Sequence, residues 1–258
     1  MIIDNKNLNQ SIIKAFTVLD AFTNDKKEWG VRELANKTGY NKSTTYRLLS
    51  TLVSLNVIHQ NENDKYRLGS KLFELGNRVS LYQSLITVTN ETIKNIALEI
   101  QETVLLSTLK ELQVFHINKA DSLQGLKIST SIGSYQPTHA TASGKLLLAF
   151  SSIENQSNYF KNSSLITFTK KTITKASELR TALQTIKKQG YALDLEEFEL
   201  GLICIAIPIF NKNKNAIASI SASGPSSRFK LENVHNYISI LQKGATLIER
   251  TLQDFDSL

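Results

Sequence analysis

Residues 41–52 read NKSTTYRLLSTL and join two kinds of helix in one. Leu48, Leu49, Leu52 and Val53 recur at the spacing that buries one helical face. The front half differs, with Lys42, Ser43, Thr44, Thr45 and Arg47 crowded behind Asn41, a good N-cap. Paired threonines lower helix propensity, and cations at a helix N-terminus oppose its dipole. Short donors and positive charges are, however, the groups that contact phosphate oxygens and base edges in a major groove. There the phosphate charge outweighs the modest dipole penalty. Arg47 has the forked geometry for a bidentate guanine contact. Taken singly, each of these residues fits phosphate contact or plain exposure equally well, and Tyr46 reads as core.

Other chemistries find less support. Cys204 is the only cysteine, which excludes an internal disulfide and a multi-cysteine zinc site. The four histidines form neither HExxH nor HxxxH, so no metal site is expected. Ala142-Ser143-Gly144-Lys145 fails as a phosphate loop: His139 holds the upstream glycine position, and Leu146 replaces the required Ser or Thr. A Cys204 nucleophile with His139 as base is the remaining catalytic arrangement. Its cysteine lies in the apolar run LICIAIPIF with no activating group beside it. No catalytic residue and no cofactor is expected.

With 258 residues and 41% hydrophobic content, the chain can bury a large core or two modest ones. The start, MIIDNKNLNQ, shows no basic-then-apolar leader. No stretch approaches the roughly 18 apolar residues of a membrane helix. The expectation is a cytoplasmic protein with no membrane partner. A net charge of +7 says less than its distribution. Between residues 37 and 71, Lys37, Lys42, Arg47, Lys65, Arg67 and Lys71 face only Glu62 and Asp64. That local excess is the form a nucleic-acid footprint takes, although a solvated basic face looks alike.

The elements that would position these residues follow from periodicity. A first helix over 11–23 carries the stripe Ile12, Phe16, Leu19 and Phe22. A second, over 31–37, stops at Gly39, and Asn41 caps the third, which makes a helix-turn-helix. Arg32 on the second helix is a candidate phosphate clamp. Short strands at 57–60 and 65–68, turned by Asn63-Asp64, form a wing in which Lys65 would meet the DNA backbone. A linker helix over 70–82 carries Leu72, Phe73, Leu75, Val79 and Leu81, apolar surface enough to help hold a homodimer. A helix over 85–100 then points Leu85, Thr89, Ile93, Ile96, Ala97 and Ile100 inward. Strands are expected at 104–109, 114–117, 126–132, 191–195, 202–210 and 216–223. Helices are expected at 142–150, at 155–160, from a Thr174 cap to Gly190, and at 230–252. The class is α+β with a central antiparallel sheet. The expected domains are 8–70 for DNA binding, a linker helix at 71–83, and 84–256.

With these elements placed, the chain resembles the IclR-type bacterial transcriptional regulators over nearly its full length. VRELANKTGYNKSTTYRLLSTL resembles their helix-turn-helix, and YRLGSKLFELG their wing exit and linker. HATASGKLLLAF, GYALDLEEFELGLICIAIPIF and SISASGP resemble their effector-binding domain. Two places depart from the pattern. Thr138 replaces an aliphatic residue, and residues 110–113 (KELQ) replace a glycine-containing hairpin turn.

The resemblance implies a winged helix-turn-helix on operator DNA and a GAF-like or profilin-like effector domain. It also implies homodimers or dimers of dimers, and hence two-fold operators. The family pocket carries over onto Asp194, Cys204, Ser221 and Ser223, with Ser143 and Gly144 opening a helix. Local chemistry agrees. A helix N-terminus with a Ser-Gly pair offers amides to a carboxylate, and residues two apart on a strand share a face. Asp194 reads as a hydroxyl acceptor or as a turn-capping aspartate, and Cys204 as a ligand contact or a small buried hydrophobe. Leu126, Ile128, Leu146 and Leu202 are candidates for an apolar wall. The expected function is a repressor controlled by a small carboxylate effector. The alternative is a GAF-like signalling protein that binds ligand but not DNA.

Overall fold

The computed structural model describes residues 8–23, 25–79, 83–125 and 128–255. It divides into two compact units, Met1–Leu81 and Tyr82–Leu258.

The first unit runs α1 (Gln10–Leu19), β1 (Trp29–Gly30), α2 (Val31–Thr38), α3 (Lys42–Ser54), β2 (Ile58–Gln60), β3 (Lys65–Leu68) and α4 (Ser70–Gly76). Asn9 caps α1 through its side-chain oxygen, and Gly39 ends α2 in the left-handed region at φ +74°. Asn41 Oδ1 accepts the Thr44 amide at 2.8 Å and starts α3. Strand β3 pairs antiparallel with both β2 and β1, so the wing has three strands, one more than the sequence shows. Val18, Trp29, Leu34, Leu49, Ile58 and Tyr66 form the core.

Two expectations about α1 and the linker helix fail in this unit. The stripe on α1 is misplaced, because Ile12 and Phe16 are 57% and 62% exposed while Val18 and Ala21 are buried. Two overlapping apolar stripes compete, and the one through Ala15, Val18, Leu19 and Phe22 packs against the core. The linker helix stops at Gly76, capped by Asn77, and residues 77–79 are not helical. The remainder of that predicted helix, 80–82, lies outside the described residues.

The second unit opens with α5 (Gln83–Ile100), β4 (Thr103–Lys110), β5 (Gln113–Ala120) and β6 (Tyr135–Gln136). Next come α6 (Ala142–Phe150), α7 (Ile153–Asn162), α8 (Ala176–Gln189), β7 (Ala192–Leu195), β8 (Leu202–Phe210) and β9 (Ala216–Pro225). A short 3-10 turn, Leu231–Asn233, leads into α9 (Val234–Phe255). Six strands form one sheet in the order β6-β5-β4-β9-β8-β7, each neighbouring pair antiparallel.

Strand alternation sorts this sheet into two faces. Val104, Leu106, Ile203, Ile205, Ile207, Ile209 and Ile220 pack against α5 and α9. The opposite face meets α6 and α8 through Ala192 and Ala206. That face carries Thr103, Ser107, Ser219, Ser221 and Ser223, small polar residues that leave room under α6.

Two corrections apply here as well. Residues 128–132 form no strand, because the edge of β5 is taken by Tyr135–Gln136; residues 126 and 127 lie outside the described set. Helix α8 begins at Ala176 with Lys175, not Thr174, at its cap position.

Candidate functional site

On the first unit, Lys42, Ser43, Tyr46 and Arg47 lie exposed along the front of α3, with Thr44 half-buried beside them. Tyr46, expected in the core, is 56% exposed and joins the polar face. Thr45 moves the other way. It is fully buried on the stripe of Leu49 and Leu52, and its hydroxyl donates to the Asn41 carbonyl at 3.1 Å, so it cannot reach a groove. Asn41 spends its side-chain oxygen on the Thr44 amide and the Ser43 hydroxyl, which makes it a helix cap first.

Lys65 is half-exposed on the wing and paired within the unit. Its ammonium sits 2.9 Å from Glu33 Oε2, while Lys26 holds Oε1 at the same distance. The Lys65 and Lys26 hydrogen bonds, and then the Gly30 amide, pull the Glu33 carboxyl down to about 2. Lys65 therefore brings an already paired charge to the wing. Arg32 and Arg67 are exposed.

In the second unit a cavity lies between the polar face of the sheet and the first turn of α6. It is lined by Ser143, Asp194, Cys204, Ser221 and Ser223, five of the six effector residues named from sequence, with Ile128 and Leu202 of the expected apolar wall. Leu146 is buried in the core behind it, and Leu126 lies outside the described residues. Its void is about 20 Å³, room for about one water. Phe198 and Leu202 are among the side chains that close it. A larger groove of about 550 Å³ runs between α1 and α3, but it is open, and its lining includes Thr44 and Arg47 of the candidate readout face.

Gly144 has another role than an amide donor. Its N–H is taken by Thr141 Oγ1 at 3.2 Å, the N-cap of α6. A Cβ there would come 2.3 Å from the Thr138 carbonyl oxygen, so glycine is required for backbone to pass backbone. That contact leaves Ala142 and Ser143 to present the first-turn amides.

Asp194 caps the turn with one oxygen, while the other faces the cavity lining without a partner. Oδ1 accepts the Glu197 amide at 2.7 Å, while Oδ2 has no partner. Burial raises the carboxyl to about 7, against the pull of the Glu197 amide and nearby Lys145. Lys145 itself forms a buried ion pair with Glu197, tying α6 to the loop after β7. Burial, with Asp194 beside it, also pushes the Cys204 thiol up, so it is a neutral group and not a nucleophile. His139 does not line the cavity; its two ring nitrogens meet the Tyr159 hydroxyl and the Ile166 carbonyl.

Sequence reasoning missed His116, Thr130, Gln136 and Thr141 in the lining. One signal was present: His116 is the polar residue at an inward position of the otherwise apolar Val114–Ile117 run. No group of His, Cys, Asp or Glu among the described residues could hold a metal ion. No helix among them is long and apolar enough to cross a membrane.

Comparison with known proteins decides the family. Residues 76–250 match the bacterial transcriptional regulator IclR C-terminal family, and residues 11–62 match the IclR helix-turn-helix domain. The chain belongs to the IclR family. This IclR-family chain is 36% identical to the HTH-type transcriptional regulator KdgR of Dickeya chrysanthemi, over 91% of its own length and 77% of the relative's. It is 28% identical to the transcriptional repressor IclR of Escherichia coli, over 92% and 87% of the two chains. The crystal structure of the Thermotoga maritima IclR superposes with a TM-score of 0.78 at 30% identity, covering 94% and 98%. The fold is shared with an IclR homologue from Microbacterium hydrocarbonoxydans complexed with 4-hydroxybenzoate, at TM-score 0.85 and 23% identity, over 95% and 100%. The protein is thus a DNA-binding transcriptional regulator of this family.

Proposed function

We propose that this regulator is a repressor whose grip on a two-fold operator is controlled by a small hydroxylated carboxylate bound under α6. The observation that carries the reading is Asp194 Oδ2, a buried carboxyl oxygen without a partner, in a cavity with two strand serines and a helix N-terminus. Buried polar atoms are rarely left unpaired, so this oxygen calls for a partner, and a ligand hydroxyl could supply one. The relatives' names add the sign, since one is a repressor. The test is an operator selected from random DNA, followed by a gel-shift titration with a panel of small carboxylates at two salt concentrations. Binding that no acid alters would remove the effector control. No DNA selected at all would favour the signalling alternative.

For readout, α3 enters a major groove with Lys42, Ser43, Thr44 and Arg47 forward, Tyr46 beside them, and Arg32 on a phosphate. Arg47→Ala is expected to cost about 1–3 kcal/mol of discrimination at one base pair. Lys42→Ala should weaken all sequences alike and lower the salt slope by about one. Lys65→Ala should do less, because Glu33 already holds that charge. A footprint with unchanged selectivity in Arg47→Ala would take Arg47 out of the readout.

Two-fold operators need two copies of the chain. Exposed Phe16 on α1 and Phe73 on α4, the latter 75% exposed, supply apolar surface in the first unit. Sedimentation at micromolar concentration is expected to give a homodimer or a dimer of dimers. A monomer there would remove the two-fold operator as well.

A further inference from the structure

Three charged side chains meet where the wing joins α2, and strand register brings them together. Strand β1 pairs with β3 so that Gly30 stands opposite Lys65. Gly30 is also the N-cap of α2. Glu33, in the first turn of that helix, folds back until its Oε2 accepts the Gly30 amide at 2.7 Å. The same oxygen accepts the Lys65 ammonium at 2.9 Å, and Oε1 accepts the Lys26 ammonium at 2.9 Å. Lys26 in turn lies over the Trp29 ring, 3.8 Å from its centroid. A Cβ on residue 30 would come 3.2 Å from Oε2, so glycine leaves the room that this meeting uses.

The two ammoniums thus share one fixed carboxylate while their side chains stay nearly half exposed, at 45% and 43%. Hydrogen bonds from Lys65 and then Lys26 hold that carboxyl at about 2, so it is ionised throughout the physiological range.

We propose that Glu33 competes with DNA phosphate for Lys26 and Lys65, and so limits how strongly the wing grips DNA of any sequence. The inference rests on the reading above in which the wing lies against the DNA backbone. Phosphate contacts give affinity without base identity, and each adds about 0.9 to the salt slope. A lone exposed ion pair would give up its lysine easily, because such pairs contribute little. Here the carboxylate is anchored by a backbone amide and shared by two cations, and an aromatic face holds one of them as well. A phosphate must displace a group already in place. Glu33 is therefore a positioning residue that acts on DNA through the two lysines. Its brake falls on operator and random DNA alike, and leaves base discrimination by α3 as it was.

The test is fluorescence anisotropy of a labelled random-sequence duplex with the full chain, over a series of salt concentrations. Glu33→Gln keeps an oxygen for the Gly30 amide and loses the charge. It is expected to bind roughly tenfold more tightly at moderate salt, with a slope steeper by about one to two. Lys26→Gln and Lys65→Gln are expected to leave the slope nearly unchanged while Glu33 is present. In the Glu33→Gln background each should remove about one. This non-additivity is the signature, because loss of a stray negative charge would act equally with or without the lysines. Equal slopes in wild type and Glu33→Gln overturn the proposal. So does a gain in Glu33→Gln that persists after both lysines are replaced. If the Trp29 denaturation midpoint falls in Glu33→Gln, the lysine variants on the wild-type carboxylate decide. A slope loss of about one from either lysine there overturns the proposal, and an unchanged slope supports it. The α3 readout is tested separately, by Lys42→Ala and Arg47→Ala, and survives any of these failures.

Discussion

Replacing Lys145 with methionine is expected to destabilise the second unit by about 3–5 kcal/mol, the usual cost of removing one partner from a buried ion pair. Lys145 and Glu197 are 4% and 11% exposed at their side chains, so water cannot take over the carboxylate left behind. Glu197 already has one oxygen, Oε2, without a partner, and Asp194 lies close by. The double variant Lys145→Met/Glu197→Leu should recover most of the loss, because an apolar pair of similar volume avoids both desolvation penalties. Trp29, the only tryptophan, belongs to the first unit and supplies an internal control. In a denaturant titration its fluorescence midpoint should hold while the circular dichroism transition of the second unit moves earlier. A single variant within about 1 kcal/mol of wild type would show that the pair is solvated and contributes little.

That ion pair also shows how far the sequence could be read. Lys145 drew notice only as the lysine of a failed phosphate loop, and Glu197 not at all. Nothing local marks two residues 52 apart as partners; their meeting is decided by α6 packing over β7 and β8. Short-range patterns fared better. The boundaries of α6, the left-handed stops at Gly39 and Gly190, and the shared face of Ser221 and Ser223 all follow from local periodicity and backbone chemistry.

Failures came where two patterns competed or where tertiary contacts decided. Two apolar stripes overlap on α1, and Thr45 sits at a polar front yet falls on the buried side of α3. The two departures from the family pattern prove to be one feature. Glu111 and Leu112 turn the β4–β5 hairpin with φ of 51° and 61°, a left-handed pair usually built with glycine. The Thr138 hydroxyl then donates to the Leu112 carbonyl at 2.6 Å. Thr138 also packs its carbonyl against Gly144, so the substituted turn is tied to the start of α6 and to the cavity.

The second large effect is expected in the cavity itself. Ser221→Ala/Ser223→Ala should weaken binding of a carboxylate effector by two or more orders of magnitude, since each hydrogen bond to a charged group contributes about 1.5–3 kcal/mol. Operator binding without effector should survive, because the changes are small and lie in the other unit. Asp194 adds a pH signature. Its carboxyl is raised from 3.8 to about 7, so it is largely protonated below that pH and ionised above it. An incoming carboxylate repels the ionised form, and binding raises this carboxyl further. Affinity should therefore be flat from about pH 5 to about 7 and fall by up to tenfold per pH unit above it. The other groups facing Asp194 are Lys145 of α6, Glu197 of the loop and the Cys204 thiol of β8, and the thiol stays neutral over this range. Asp194→Asn keeps a donor and removes the titration. It should bind near the wild-type plateau with no fall above pH 7. Calorimetry from pH 5 to 9 on the acid found by the carboxylate panel measures all three proteins. A double serine variant that binds as wild type does would place the acid elsewhere, and a wild-type affinity that does not change across pH 7 would mean that no carboxylate sits beside Asp194.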